Sequence, residues 1–254
     1  MGEKAPCVSI ITPAYNAGST IEDTIESVIR QTFPDWEMIV VDDGSTDDTV
    51  KKLLRLEAED SRIRVEALQE NGGAARARNI ALNYAKGRYV AFLDSDDRWK
   101  PEKLERQLGF MEKNGHAFTF TGYEMIGRDG NPLNKAVHAP SCVCYTDMLK
   151  NSIIGCLTVM IDRGQLGHIQ MPNIRTRQDY ATWLSILKQG TAAYGLDENL
   201  AEYRVGNNAS LSSNKWKMAK QNWYVYREME NLGLLAASWC FVHYAANAVR
   251  KRIY

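Results

Sequence analysis

Two acidic clusters in this chain each close a short apolar run. Val40-Val41 leads into Asp42-Asp43-Gly44-Ser45, and Phe92-Leu93 into Asp94-Ser95-Asp96-Asp97. A third run, Val8-Ser9-Ile10-Ile11, opens onto Thr12-Pro13-Ala14-Tyr15-Asn16. Each alone has a structural explanation, because Asp-Gly-Ser is turn chemistry and an Asp-rich loop before a helix offsets its dipole. Together they ask for more. Carboxylates crowded at one place repel and partly protonate unless a cation compensates. Their oxygens suit a hard divalent ion, Mg²⁺ or Mn²⁺, better than zinc. Such ions commonly bring phosphate, yet the chain has no G-x-x-x-x-G-K-[ST] and no G-x-G-x-x-G. A P-loop is therefore excluded and a nicotinamide site unsupported. A diphosphate held through a metal, with a base stacked on Tyr15, fits what is left.

The elements that must position these residues alternate from the start. Val8–Ile11 reads as a buried strand closed by Pro13, and Ser19 with Glu22 reads as the capping box of a helix carrying Ile21, Ile25, Val28 and Ile29. Met38–Val41 is the second strand, with Ser45 capping a helix of Val50, Leu53 and Leu54. Arg62–Leu68 is a third strand, and Gly72-Gly73 opens a helix expected to stop at Gly87. Tyr89–Leu93 is the fourth, followed by a helix with Pro101 in its first turn and Leu104, Leu108 and Met111 inward. This alternation predicts a parallel sheet with right-handed crossovers, whose ligands bind at the carboxyl ends of the strands. Farther on, Asp129-Gly130-Asn131 predicts a hairpin, Leu157–Ile161 a strand, and Gln178–Lys188 a helix with Trp183, Ile186 and Leu187 inward. The last forty or so residues are helical in pattern, over Gln221–Glu230 and Leu234–Arg250.

At Pro13-Ala14-Tyr15-Asn16, Val40 to Asp47, Asn71-Gly72-Gly73 with Ala77-Arg78-Asn79, and Phe92 to Asp97, the chain resembles the family 2 glycosyltransferases. The likeness is dense over the first 115 or so residues. It continues through Arg177-Gln178-Asp179-Tyr180 and Tyr203-Arg204 before Ser210-Leu211-Ser212-Ser213-Asn214. The resemblance implies a GT-A fold: α/β, a mostly parallel central sheet flanked by helices, with a C-terminal helical extension. It implies a nucleotide-sugar-binding half over 1–115, an acceptor and catalytic-base half over 116–214, and C-terminal helices over 215–254.

Position by position, it implies that Tyr15 stacks on the nucleobase while Asp43 bonds the base edge, with Asp42 supporting the turn. Pro13, Arg78 and Ser95 would lie at the nucleotide. Asp94 would reach the ribose or the metal, Asp96 would coordinate the Mn²⁺ or Mg²⁺ that bridges the diphosphate, and Asp179 would be the catalytic base. The implied reaction is inverting transfer of one sugar from a nucleotide-diphospho-sugar, a UDP-hexose or UDP-N-acetylhexosamine, to a hydroxyl of a lipid-linked glycan. Such acceptors belong to bacterial lipopolysaccharide, O-antigen or capsule assembly. Two departures stand out. Gln178 occupies a position where relatives often have Glu, and Val205-Gly206-Asn207-Asn208 replaces a stretch where many have His. No Gln-x-x-Arg-Trp of processive synthases occurs, which favours single-sugar transfer. A non-catalytic sugar-nucleotide-binding module is the alternative.

Other classes are excluded more simply. The 254 residues carry 31 Lys+Arg against 31 Asp+Glu, whereas nucleic-acid binders usually show a basic excess. A phosphatase or receiver-type domain needs a nucleophilic Asp after the first strand, and Thr12-Pro13-Ala14-Tyr15 offers none. Five cysteines without C-x-x-C argue against a disulfide framework or zinc ribbon, and Cys142 and Cys144 read as small structural residues. Met1-Gly2-Glu3-Lys4 begins no signal peptide and no run of about 20 apolar residues occurs, so a cytoplasmic protein is expected. The sequon Asn208-Ala209-Ser210 is then chance. Leu234–Val249, ending in Arg250-Lys251-Arg252, could lie peripherally on the inner face of an anionic membrane, pack on the core or form a dimer contact.

Overall fold

Strands whose consecutive residues are apolar need cover on both faces of a sheet, and the chain provides it. A computed structural model describes residues 5–206 and 215–253, with side chains over 5–206 and 218–247. The first half is β1 (Val8–Ala14), α1 (Ile21–Ile29), β2 (Trp36–Asp42), α2 (Thr49–Glu59), β3 (Ile63–Ala67), α3 (Ala74–Tyr84) and β4 (Tyr89–Phe92). Its strands run parallel in the order β3-β2-β1-β4. There follow β5 (Arg98–Trp99), α4 (Lys103–Asn114), β6 (Phe118–Ile126), β7 (Pro132–Val137), β8 (Cys142–Val143), α5 (Tyr145–Lys150), β9 (Met160–Asp162), α6 (Arg163–Leu166), α7 (Gln178–Lys188) and β10 (Ala193–Arg204). The same sheet continues as β9-β6-β10-β5. Here only β6 and β10 run parallel, and β9 is antiparallel to both its neighbours. The parallel order is thus confined mainly to the half that carries the acidic clusters.

Alternate residues of the strands feed two cores. Ile10, Met38 and Val40 pack with Ile21, Ile25, Leu53 and Leu104 on one face. Ile11, Ile39, Val41 and Phe92 pack with Ala77, Ala81 and Trp183 on the other, where Trp183 meets Phe92 edge-on at 5.3 Å. Val225 and Tyr226, in a π-helical turn after α8 (Lys215–Tyr224), belong to this second core, as do Ala237 and Cys240 of α9 (Leu234–Ile253). The C-terminal helices are therefore structural members of the fold rather than an appendage.

Several local expectations give way to tertiary contacts. β1 runs past Pro13 to Ala14, because β4 pairs only with Val8–Ile11 and the proline faces no donor-requiring partner beyond that pairing. Ser19 does not cap α1. Thr20 stands at the cap, and its hydroxyl instead donates to the Ser95 carbonyl at 2.9 Å. Ser45 does not cap α2, which starts four residues later; its hydroxyl is bonded to Asp42. α3 stops at Tyr84 rather than at Gly87, whose missing side chain lets it lie against Ser9, where a Cβ would come within 2.7 Å of the backbone nitrogen. Leu157 lies in a 3₁₀ turn, Cys156–Thr158, and the strand begins only at Met160. The helix expected over Gln221–Glu230 is instead the end of α8 and the π turn Val225–Met229. The hairpin at Asp129-Gly130-Asn131 and the helix Gln178–Lys188 stand as the sequence implies.

Candidate active site

The carboxyl ends of β1, β2 and β4 lie side by side and bring the predicted residues onto one rim. β1 delivers Pro13 and then Tyr15, whose ring is half exposed and available for stacking. Beside it, Asp42 ends β2 and holds the turn that follows, accepting the Ser45 N–H at 2.9 Å and bonding the Ser45 hydroxyl. Gly44 takes φ +75 in that turn, and a Cβ there would press on the backbone of Glu70 and Asn71 at 3.0 Å. Asp43 is buried, and its two oxygens accept the N–H groups of Gly72 and Gly73 at 2.9 and 2.6 Å. It thereby ties the loop before α3 to the rim, and any contact with a base edge would use the remaining lone pairs of the same oxygens.

The second acidic cluster is fixed from behind. Thr24 Oγ1 donates to the carbonyls of Ser95 and Asp97 at 3.1 and 2.8 Å. Arg204, at the end of β10, donates its N–H to Asp97 Oδ1 at 2.8 Å and its Nε to the Asp96 carbonyl at 2.8 Å. Asp97 is buried, and burial together with the charges of Asp96 and Asp94 pushes its carboxyl well above the usual carboxylate range. Of the three carboxylates, Asp97 is the one turned inward.

Arg78 lies behind the second acidic cluster. Its guanidinium, carried on the buried face of α3, pairs with Asp94 through Nη2, while Nε and Nη1 are buried without a partner. Burial works against its charge, but Asp94, Cys156 and Asp179 outweigh that and raise its pKa. Asp179 stands in the first turn of α7, close enough for its charge to act on both Arg78 and Cys156. Arg78 is thus a fixed, buried cation paired with a carboxylate at a strand end and within electrostatic reach of another at a helix start.

Among the described residues no group of three or more His, Cys, Asp or Glu could by itself hold a metal ion. Two carboxylates do fit a Mg²⁺ or Mn²⁺ that takes its remaining ligands from phosphate and water, the usual way such ions bind. Asp94 and Asp96 are the candidates for that donor set, while Asp97 is buried and accepts the Arg204 N–H.

Sequence reasoning missed two residues of this site. Cys156, buried beside Arg78, gave no signal, since one cysteine in an irregular stretch has none to give. In the sequence Arg204 carries a signal only as part of the Tyr203-Arg204 pair, although it anchors the acidic loop to β10. The motif residues Ser210–Asn214, the sequon at Asn208, and Asn207 lie outside the described residues, as do the side chains of Arg250, Lys251 and Arg252. A hollow of about 680 Å³ opens at the opposite ends of the strands, between Pro6, Lys86, Arg88 and Arg163. Its arginines are bonded to Asp162 and to the carbonyls of Ala85 and Gly87, and it carries no comparable cluster.

Comparison with known proteins places these features in a wider set. The model of glycosyl transferase family 2 matches residues 9–171. A Bacillus subtilis protein named as a teichuronic acid biosynthesis glycosyltransferase, TuaG, is 63% identical over 248 residues, with 98% of each chain covered. The Escherichia coli UDP-Glc:alpha-D-GlcNAc-diphosphoundecaprenol beta-1,3-glucosyltransferase WfgD is 42% identical, covering 97% of this chain and 95% of its own. Among solved structures, S. aureus TarS residues 1–349 with UDP-GlcNAc superposes with a TM-score of 0.70 at 22% identity, covering 87% of this chain and 67% of that one. The mannosyltransferase PcManGT of Pyrobaculum calidifontis, in complex with GDP-Man and Mn²⁺, gives 0.68 at 19% identity, covering 96% and 74%. The fold is GT-A.

Proposed function

Since this chain belongs to glycosyl transferase family 2, we propose that it is an inverting enzyme that moves one hexose or N-acetylhexosamine from its UDP-linked donor to a hydroxyl of a lipid-linked glycan. The observation that carries this reading is Arg78, paired with Asp94 at the rim and within electrostatic reach of Asp179, with two donors unpartnered. A diphosphate-linked sugar presents the charge and oxygens such a group can bond. Tyr15 and Asp43 would take the base, Asp42 the turn beneath it, and Pro13 and Ser95 the walls. Relatives support the donor and acceptor classes: WfgD is named for UDP-Glc and a diphosphoundecaprenol-linked acceptor, and TuaG for teichuronic acid biosynthesis.

In transfer with inversion the acceptor hydroxyl attacks the anomeric carbon as the nucleoside diphosphate departs from the other side. Asp179 would take the hydroxyl proton as general base. Arg78 would orient the donor, and Asp94 and Asp96 would hold a Mg²⁺ or Mn²⁺. That ion, when bound, neutralises charge growing on the leaving diphosphate. A thermal-shift panel of UDP-, GDP- and dTDP-sugars with Mn²⁺ tests the donor class, because a ligand that binds only the native state raises its stability. UDP-sugars should raise Tm the most. A shift confined to GDP- or dTDP-sugars would contradict the reading.

The acceptor's lipid suggests where the enzyme works. No helix of the described residues is long and apolar enough to cross a membrane. α9, however, exposes Leu235, Trp239 and Val242, at 89, 62 and 63%. At 100° per residue these share one face, opposite Ala237 and Cys240 in the core. That face would dock on the anionic cytoplasmic leaflet, with the Arg250-Lys251-Arg252 end of the helix near the headgroups. Because α9 supplies core residues, the test uses point variants rather than truncation. Wild type should float with anionic vesicles and L235S/W239S should not, at unchanged Tm; equal flotation would remove the claim.

A further inference from the structure

Arg177, the residue just before α7, adopts φ 67°. Left-handed backbone is uncommon for a residue with a Cβ and persists where surrounding contacts over-determine it. Those contacts are present. Nη1 donates to Ser152 Oγ at 3.2 Å, and Nη2 donates to the Tyr244 hydroxyl at 2.5 Å. The guanidinium also lies 5.5 Å from the Tyr180 ring centre and 5.3 Å from that of Tyr244. Meanwhile the Arg177 carbonyl accepts the Ala181 N–H at 2.9 Å, the first rung of the helix whose first turn carries Asp179. Tyr244 belongs to α9, far along the chain.

We propose that Tyr244, acting through Arg177, is a positioning residue for Asp179. The inference rests on the reading of Asp179 as general base. The hydroxyl holds the arginine fork, the fork holds the left-handed turn, and the turn aims the first turn of α7. Released from Tyr244, Arg177 relaxes toward ordinary backbone and rotates that first turn. A misplacement of about 1 Å at a reacting group can cost about 10²-fold, so partial loosening should cost less.

Tyr244→Phe in the full chain isolates the hydroxyl, because the ring that packs on Phe241 and faces Arg177 stays. Its kcat should fall about ten-fold, with donor KM, acceptor KM and Tm nearly unchanged. Arg177→Lys keeps the charge but lacks the planar fork that reaches Ser152 and Tyr244 together, and should show the same split. The decisive comparison uses the residual turnover of Asp179→Asn, read with radiolabelled donor. There Tyr244→Phe should cost nothing further, because residues acting through one group are not additive. Equal losses in both backgrounds, or both single variants within two-fold of wild type, would overturn the proposal. A nearly wild-type Asp179→Asn overturns the base reading and this inference with it. An inactive Asp179→Asn beside an indifferent Tyr244→Phe overturns the inference alone.

Discussion

Asp179→Asn should lower kcat by about 10²–10⁴-fold, the range general-base catalysis supplies, while donor affinity changes by less than about ten-fold. The first turn of a helix favours a carboxylate whatever its use, so position alone assigns no role. What singles out Asp179 is that its charge, like that of Asp94, acts on both Arg78 and Cys156. Asparagine keeps the shape and most hydrogen bonding but cannot take a proton from an attacking hydroxyl. The donor's proposed contacts, Tyr15, Asp43, Arg78 and Asp94, all come from the first half of the chain, and Arg78 keeps its ion pair with Asp94 when Asp179 is neutral. Single-turnover kinetics beside calorimetric donor titration would separate the two quantities. Loss of donor binding in step with turnover would assign Asp179 to the nucleotide instead of the chemistry.

Metal removal should have an effect as large. Excess EDTA should abolish transfer and added Mn²⁺ should restore it, and Asp96→Ala should lose about 10³-fold or more, since a Lewis acid at a leaving diphosphate is worth several kcal/mol. The structural reason is the fixed main chain of the loop. Arg204 holds the Asp96 carbonyl, and Thr24 holds those of Ser95 and Asp97, so the side chain of Asp96 is carried by a loop that cannot retreat. Asp97→Ala is not equivalent, because that carboxyl is buried and turned to the Arg204 N–H. Full activity in excess EDTA would contradict the metal assignment.

The rim was legible in the sequence because its residues are local to strand ends. Apolar runs locate the strands, parallel topology locates their carboxyl ends, and Tyr15 and the two acidic clusters follow three of those runs closely. Long-range contacts were not legible. Ser19 and Ser45 satisfy every local rule for a helix cap, yet Thr20 and Ser45 bond Ser95 and Asp42, residues of the rim itself. Asp43 was expected at a base edge, and the Gly72 and Gly73 N–H groups that occupy its oxygens come from a loop some 30 residues on. Arg204 reaches back more than 100 residues to Asp96 and Asp97. The helix of the proposed base, by contrast, was legible from Gln178 to Lys188, because Trp183, Ile186 and Leu187 recur at helical spacing.

Product stereochemistry tests the central claim most directly. With an α-linked UDP-sugar and a lipid-linked glycan acceptor, one displacement assisted by one base must invert the anomeric carbon. The proton coupling at the new linkage, read by NMR on the isolated product, should therefore report a β-glycoside. An α-glycoside would contradict the account, because retention needs a second displacement or a front-face path that Asp179 as general base does not provide.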